Sequence, residues 1–396
     1  MSKLIYLDNN STTPVDLAVF EAMRPYFSEL CGNPSNQHHA AGSRAARAVE
    51  KARAQVAAAI RAEPKSIIFT SGATESNNLA ILGVCRASRT SPGHIITSAI
   101  EHKAVIEPCR HLEATGWKVT YLRPDSQGTV DWRAVDDAIT LETLLVSIMA
   151  ANNEVGTIQP IERIGEVCER RGVIFHCDAA QALGRMPIDV DRWNVDLLSL
   201  SAHKAYGPKG IGALFVLENR KAEILAPLCY GGGQESGIRP GTLAVPNIVG
   251  FGAACELAAL NLEAETSRLR MLRQSLLGHL RSSCPDLVVH GHPTNSLPGL
   301  LSACFPGVNG DEFLYALQDV AISQGAACTA GSPEPSHVLT ALGVGYDLAR
   351  SSFRFGIGRF NTIEEISTAA AAIDIALSQV KSGHLAKYPL EGYSGE

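Results

Sequence analysis

Residues 195–216 read "VDLLSLSAHKAYGPKGIGALFV". An unbroken apolar run ends at Ser201, His203 and Lys204, turns through Gly207, Pro208 and Gly210, and resumes as a second apolar run. Apolar runs without polar alternation are strands covered on both faces. A lysine at the end of such a strand must be solvated, paired with an acid or used chemically. A desolvated lysine has a lowered pKa and forms a Schiff base with a carbonyl group. A surface lysine in a turn explains the segment equally well, so this stretch alone leaves both readings open.

Moving outward, the same texture repeats. "SIIFTS" (66–71), "HIITSAI" (94–100), "WKVTYL" (117–122), "TLLVSIMA" (143–150) and "VIFHCDA" (173–179) are further short, strand-like runs. Helical stretches alternate with them: "ESNNLAILGVCRAS" (75–88), "KAVIEPCRHLEATG" (103–116), "DWRAVDDAI" (131–139) and "IERIGEVCERRG" (161–172). The alternation predicts an α/β fold with a mainly parallel seven-stranded sheet and helices on both faces. Ligands of such sheets sit in loops at the carboxyl ends of the strands.

The texture changes after about residue 245. A helical pattern runs from Pro246 to about Ser283. It is followed by "LVVHG" (287–291), "LLSACFP" (300–306), a helix at "GDEFLYALQDV" (310–320), "SSFRFGIG" (351–358) and a last helix. Thr362 and Glu365 open that last helix at capping-box spacing. These elements predict a smaller α+β domain. The expected division is 16–263 for the large domain and 1–15 with 264–396 for the small one.

Composition narrows the function classes. A chain of 396 residues with 45% hydrophobic content can bury a large core. The net charge is -6 and no basic block runs along the chain, so no nucleic-acid partner is expected. The opening "MSKLIYLDNNSTTP" lacks a signal-like apolar region, and no apolar run of membrane-span length is read, so a cytoplasmic protein is expected. Ten scattered cysteines without a CxxC pair argue against a disulfide framework and a zinc site. Nine of the ten are read as small core residues. The tenth, Cys328, lies in "ISQGAACTAGSPEPSHVL" (322–339), among Gly, Ala, Ser and Thr. His38 with His39, and His290 with His292, lack further ligands at metal spacing, so no metal is expected.

Other strand ends carry chemistry. Asp178 ends one run, where a carboxylate can stabilise a protonated ring nitrogen or simply cap a turn. Gln181, three residues on, can donate to a ring oxygen. "FTSGATESNN" (69–78) places a glycine turn before a helix start at Ala73–Thr74, an arrangement that binds anions. His102 in "TSAIEHKAV" (97–105) follows a further strand, where it can be structural or can stack on a flat ring. A lysine, an acid, an anion cradle and a stacking partner together describe a site for pyridoxal phosphate.

Ten ordered segments then resemble the cysteine desulfurases of the class V aminotransferase family, of the iron–sulfur-assembly type with a long cysteine loop. They are "YLDNNSTTP", "GNPSNQHHAAG", "FTSGATESNNLAI", "TSAIEHKAV", "ANNEVGTIQPI", "HCDAAQALG", "SAHKAYGPKGIGAL", "GGGQESGIRPGT", "GAACTAGSPEPSHVL" and "FRFGIGRFNTIEE". The resemblance implies the fold of type I pyridoxal-phosphate-dependent transferases. It implies that Lys204 holds the cofactor covalently, Asp178 pairs with its pyridine nitrogen, Gln181 contacts its 3-oxygen, and His102 stacks on the ring and moves protons. Ala73, Thr74, Ser201 and His203 would bind the phosphate. Thr242 would reach the phosphate of a partner subunit, which implies a homodimer. Asn153 and Arg354 would hold the substrate, with Asn153 also at the cofactor. Cys328 would be the nucleophile that takes sulfur from L-cysteine as a persulfide, releasing L-alanine. The sulfur would pass to an acceptor such as an iron–sulfur scaffold, or into thio-cofactor or tRNA thiolation. Alternatives within reach of the same residues are an aminotransferase, a selenocysteine lyase or a non-catalytic sulfur relay. Departures from the family pattern are Ser11, Ser236, Gln324 and Ala326.

Overall fold

The computed structural model describes residues 4–88, 92–218, 224–325 and 335–383. Twelve strands are present among them: β1 (Ile5–Tyr6), β2 (Ile67–Thr70), β3 (His94–Ser98), β4 (Lys118–Leu122), β5 (Thr143–Ser147), β6 (Ile174–Asp178), β7 (Leu197–Ser201), β8 (Gly212–Val216), β9 (Val288–His290), β10 (Leu300–Cys304), β11 (Val320–Ala321) and β12 (Ser352–Gly356). The main sheet has seven strands in the order β2-β8-β7-β6-β5-β3-β4. Its strands run in one direction except β8, which is antiparallel to both neighbours. Every run of this type read from the sequence is a strand of this sheet.

Side-chain alternation explains why these runs are apolar throughout. Ile67, Phe69, Phe175 and Leu198 point into one core cluster, whereas Ile68, Ile174 and Leu197 point into another. Successive residues face opposite sides of a strand, so a sheet covered on both sides needs apolar residues at every position. Helices Ala73–Ala87 and Lys103–Ala114 supply Leu79, Val84, Val105 and Leu112 to the second cluster. Helices Ala40–Ala59 and Ile161–Arg171, with the first part of Val245–Ser283, cover the other face through Val49, Val56, Ile164, Phe251 and Cys255. Helix Ala40–Ala59 has no counterpart in the sequence reading. Its buried stripe is partly alanine, Ala45 and Ala52 between Val49 and Val56, so its apolar contrast is weak.

A second core forms around the antiparallel sheet β12-β10-β9. Phe305, Phe313 and Phe353 pack there with ring centroids 4.6–5.9 Å apart. Leu269, Leu272, Leu276 and Leu280 of the long helix and Ile366 and Ile373 of helix Ile363–Ser382 close over it. The N-terminal strand β1 pairs in parallel with β11, which puts Ile5 and Leu7 in this second core. We propose the domain division 16–263 against 1–15 with 264–396, supported by the switch of the long helix from the first core to the second between Cys255 and Leu269.

Two expectations need correction. Helix Val245–Ser283 does contain an 18-residue window of mean hydropathy 1.3, long and apolar enough by length and composition to span a membrane. Ile248, Phe251, Ala254 and Cys255 are instead buried within the protein, and Glu256 interrupts the run, so it is a core helix. Cys31 and Cys229 are exposed rather than core residues, because each lies in a connecting segment outside the strands and helices.

Candidate active site

A cavity of about 490 Å³ opens where the strands of the main sheet end. At one end lies the start of helix Ala73–Ala87. Gly72 precedes it with φ +153°, and no side chain caps it. The N–H groups of Ala73, Thr74 and Glu75 have no acceptor among the described residues, as the first turn of a helix leaves them free. A Cβ on Gly212 would lie 2.5 Å from Leu200 O and 2.6 Å from Gly72 Cα, so only glycine lets this turn lie against β8. Ser201 Oγ is buried on the same wall without a partner among the described residues. His203 shares a hydrogen bond of 3.1 Å with Thr12 Oγ1. Burial, with Lys204, Lys209 and Arg185 nearby, pushes its pKa down to about 4. This end of the cavity is a set of donors awaiting an acceptor.

Lys204 closes the one-turn 3-10 segment Ala202–Lys204 after β7. Its Nζ donates to the carbonyls of Asn10 at 2.7 Å and Ser11 at 2.5 Å, on the segment that follows β1. Burial lowers its pKa to about 7; Arg185 and Arg354 push the same way, and Asp8 and Asp178 oppose them. The Asp178 carboxylate is buried, accepting from Asn77 Nδ2 at 2.7 Å and from Ala180 N at 2.9 Å. The Gln181 amide is held by Asn10, donating to its carbonyl at 3.0 Å and accepting from its Nδ2 at 3.1 Å.

His102 is the N-cap of helix Lys103–Ala114, its Nδ1 accepting from Ala104 N at 3.1 Å. A ring nitrogen that accepts carries no proton, so the neutral tautomer has its hydrogen on Nε2. Burial lowers the His102 pKa; Asp178 opposes this, and Lys204, His337 and Lys103 add to it.

Arg354 reaches the cavity from β12 of the second core. It is 2% exposed. Nη1 donates to Asn153 O at 2.9 Å, and Nη2 to Asp8 Oδ1 at 2.8 Å and Ser323 Oγ at 3.3 Å. Its Nε is buried without an acceptor among the described residues.

Ala73, Thr74, His102, Asn153, Asp178, Gln181, Ser201, His203, Lys204 and Arg354, singled out in the sequence, therefore line one cavity. Thr242 is exposed and does not line it. Cys328 and Ala326 lie outside the described residues. The flanks of that segment are described. A Cβ on Gly325 would lie 3.5 Å from Ser336 Cβ, and Ser336 Oγ donates to Glu154, one residue from Asn153. His337 Nε2 bonds to Glu101 O at 2.9 Å, one residue from His102. Gln324 Nε2 donates to Arg350 O. Sequence reasoning missed Asn10, Asn77, Arg185 and Glu101, polar residues whose partners lie on other elements. Among the described residues no cluster of three or more His, Cys, Asp or Glu is placed to hold a metal. His39 caps a helix through Gly42 N at 3.0 Å, His290 bonds Ser352 Oγ at 2.8 Å, and His292 accepts from Asn295 N at 2.9 Å.

Comparison with known proteins bears on the fold and the family. The family model "Aminotransferase class-V" matches residues 5–368. A human cysteine desulfurase is 49% identical over 362 residues, covering 91% of this chain and 79% of the relative. Among solved structures, a NifS-like protein superposes with a TM-score of 0.88 at 37% identity, covering 95% of this chain and 99% of the other. A structure titled "SspA in complex with cysteine" superposes with a TM-score of 0.81 at 40% identity, covering 90% of this chain and 100% of the other. The chain belongs to the class-V aminotransferase family, in its cysteine desulfurase branch.

Proposed function

We propose that this chain, with pyridoxal phosphate bound, is a cysteine desulfurase. It takes sulfur from free L-cysteine, releases L-alanine and leaves the sulfur as a persulfide on Cys328. One observation carries the reading: a lysine of lowered pKa, a buried carboxylate, a capped imidazole, an unsatisfied helix N-terminus and Arg354 open into one cavity.

The donor set fits the cofactor. The unpartnered Ser201 hydroxyl, the free N–H groups at Ala73 and Thr74, and His203 match a phosphate group. Lys204 would anchor the ring covalently, Asp178 would meet its nitrogen, Gln181 its 3-oxygen, and His102 its face, with Asn153 alongside. Thr242, being exposed, is free to serve the phosphate of a second subunit, and we assign a homodimer on that basis. Bound there, pyridoxal phosphate supplies an electron sink for charge developing at the substrate α-carbon.

The chain's own groups do the rest. The forked guanidinium of Arg354 binds the substrate carboxylate, for which Nε is an unused donor. The Lys204 amine would take the α-proton, because a pKa of about 7 leaves much of the free amine neutral at physiological pH. The Asp178 carboxylate, held by Asn77 and Ala180, stays in place opposite positive charge. The Cys328 thiolate attacks the substrate sulfur. The carbon–sulfur bond breaks with its electron pair left on carbon, which takes up a proton. A sulfur–sulfur bond forms on Cys328, so no outside oxidant is needed. A thiol-bearing acceptor then receives the sulfur, an iron–sulfur scaffold or a thiolation enzyme, and we place the reaction in the cytoplasm.

An aminotransferase or selenocysteine lyase would share Lys204 and Asp178 without needing Cys328. A non-catalytic relay would need Cys328 without a tuned Lys204. Holoenzyme given cysteine and a reductant is expected to form alanine and sulfide in equal amounts. Cys328→Ala is expected to keep the absorbance of the lysine-bound cofactor and lose sulfide release. Full turnover by that variant would remove Cys328 from the mechanism. Lys204→Ala is expected to lose the absorbance, and its retention would refute the anchor.

A further inference from the structure

Arg185 follows Gln181 by one helical turn and reaches back toward it. Its Nη1 donates to Gln181 Oε1 and, at 3.4 Å, to Gln181 O; its Nη2 donates to Asn9 O at 2.8 Å. No carboxylate pairs with it among the described residues; the nearby Glu265 pairs with Arg359 instead. Asn9 and Asn10 are consecutive, and Lys204 Nζ donates to Asn10 O at 2.7 Å. One short piece of backbone thus joins an unpaired guanidinium to the lysine that the proposed function uses as cofactor anchor.

Two consequences follow from this geometry. Arg185 donates to the same Gln181 oxygen that accepts from Asn10, so the amide oxygen is occupied, and the NH₂, one hydrogen of which goes to Asn10 O, is the end with a donor to spare. Glu265, the acid that faces the guanidinium, is ion-paired to Arg359, and no carboxylate among the described residues bonds Arg185 itself, so its field acts on Lys204.

We propose that Arg185 is a positioning residue of this site, a cation with no carboxylate bonded to it among the described residues, which orients the Gln181 amide and disfavours a second positive charge on Lys204. The inference rests on Lys204 as cofactor anchor. Arg185 heads the charges that lower the Lys204 pKa, after burial, with Arg354 acting in the same sense and Asp8 and Asp178 against it. Lys204 also faces His102 and His203, whose own pKa values are lowered in part by it. Arg185 faces Tyr206, Glu265 and Arg354.

The test uses the full chain stripped of cofactor and follows the rate at which added pyridoxal phosphate becomes lysine-bound, as a function of pH. Only the neutral amine reacts, so the midpoint of the profile reports Lys204. Wild type and Arg185→Lys are expected to share a midpoint near 7. Arg185→Gln, which deletes the charge and can keep a donor to Asn9, is expected to shift it upward by about one unit. Arg185→Met serves as the neutral variant if the glutamine does not fold. An unchanged midpoint in a folded neutral variant overturns the proposal, because a purely structural role alters stability or occupancy without moving it. A wild-type chain that never binds the cofactor through lysine would instead overturn the proposed function itself.

Discussion

Arg354 is buried to 2% exposure, yet its Nε has no acceptor among the described residues. A desolvated donor left unpaired costs free energy, about 1–3 kcal/mol or more for a charged group. A substrate carboxylate bound there, as the proposed function has it, would remove that cost. Lysine at this position would keep a charge toward Asp8 but lose the planar fork. Arg354→Lys is therefore expected to raise KM for cysteine about 10–100-fold, the equivalent of a lost charge-assisted hydrogen bond. The lysine-bound cofactor absorbance should remain. Steady-state kinetics decide it, and an unaltered KM would remove Arg354 from substrate binding. The candidate residues Lys204, Asp178 and His102, which line one cavity, were legible singly because each ends or follows an apolar run. Asn77 and Arg185 were not, because a buried amide or guanidinium is defined by a partner on another element.

At the scale of elements, the proposed anion cradle is a contact between a helix start and a strand start. A Cβ at Gly212 would meet the backbone of Leu200 and Gly72 at 2.5 and 2.6 Å, atoms that cannot rotate away. Gly212→Val is expected to push the turn at Gly72 off β8, with a stability loss of about 1–3 kcal/mol from overpacking. Cofactor affinity should fall with it by about tenfold or more, since the donors at Ala73 and Thr74 move together. Urea unfolding and equilibrium titration with pyridoxal phosphate measure the two effects. A variant that binds as wild type does would show that the cradle does not depend on this contact. Both glycines stand in quoted segments of the sequence, but their proximity follows from β2 and β7 each pairing with β8.

The whole molecule hides several imidazoles. His176 lies within the sheet between Ser147 Oγ at 2.8 Å and Ser199 Oγ at 2.9 Å, and burial lowers its pKa to about 4. His203 and His290 are likewise held to about 4 by burial. Each folded pKa lies below the unfolded value of 6.5, so the folded chain binds fewer protons between the two. Their contribution is complete above about 6.5 and declines as pH falls through about 4. Glu101 acts in the opposite sense: burial raises its pKa, so its contribution is present below 4.5 and lost as pH rises through its folded pKa. With these three imidazoles, and His94 and His102 lowered in the same sense, against the Glu101 carboxyl, the urea midpoint is expected to fall between pH 6.5 and 4. A profile that is flat or rises toward acid would sink this account. The two cores are also tied by charge: Arg359 pairs with Asp16 and Glu265 at 2.9 Å and lies 4.2 Å from the centre of the Tyr206 ring.

Local features of this chain were determined by its sequence alone. The seven apolar runs are strands because a doubly covered sheet requires apolar residues on both sides of each strand. The glycine turn before Ala73 and the Thr362 cap follow from backbone chemistry within a few residues. Tertiary structure decided what meets what. It placed β1 beside β11, brought Asn10 and Ser11 onto Lys204, carried Arg354 from the second core to the first, and left Arg185 without a bonded carboxylate among the described residues. Such contacts join residues far apart in the chain, and their partners are chosen by strand order and packing rather than by any local pattern.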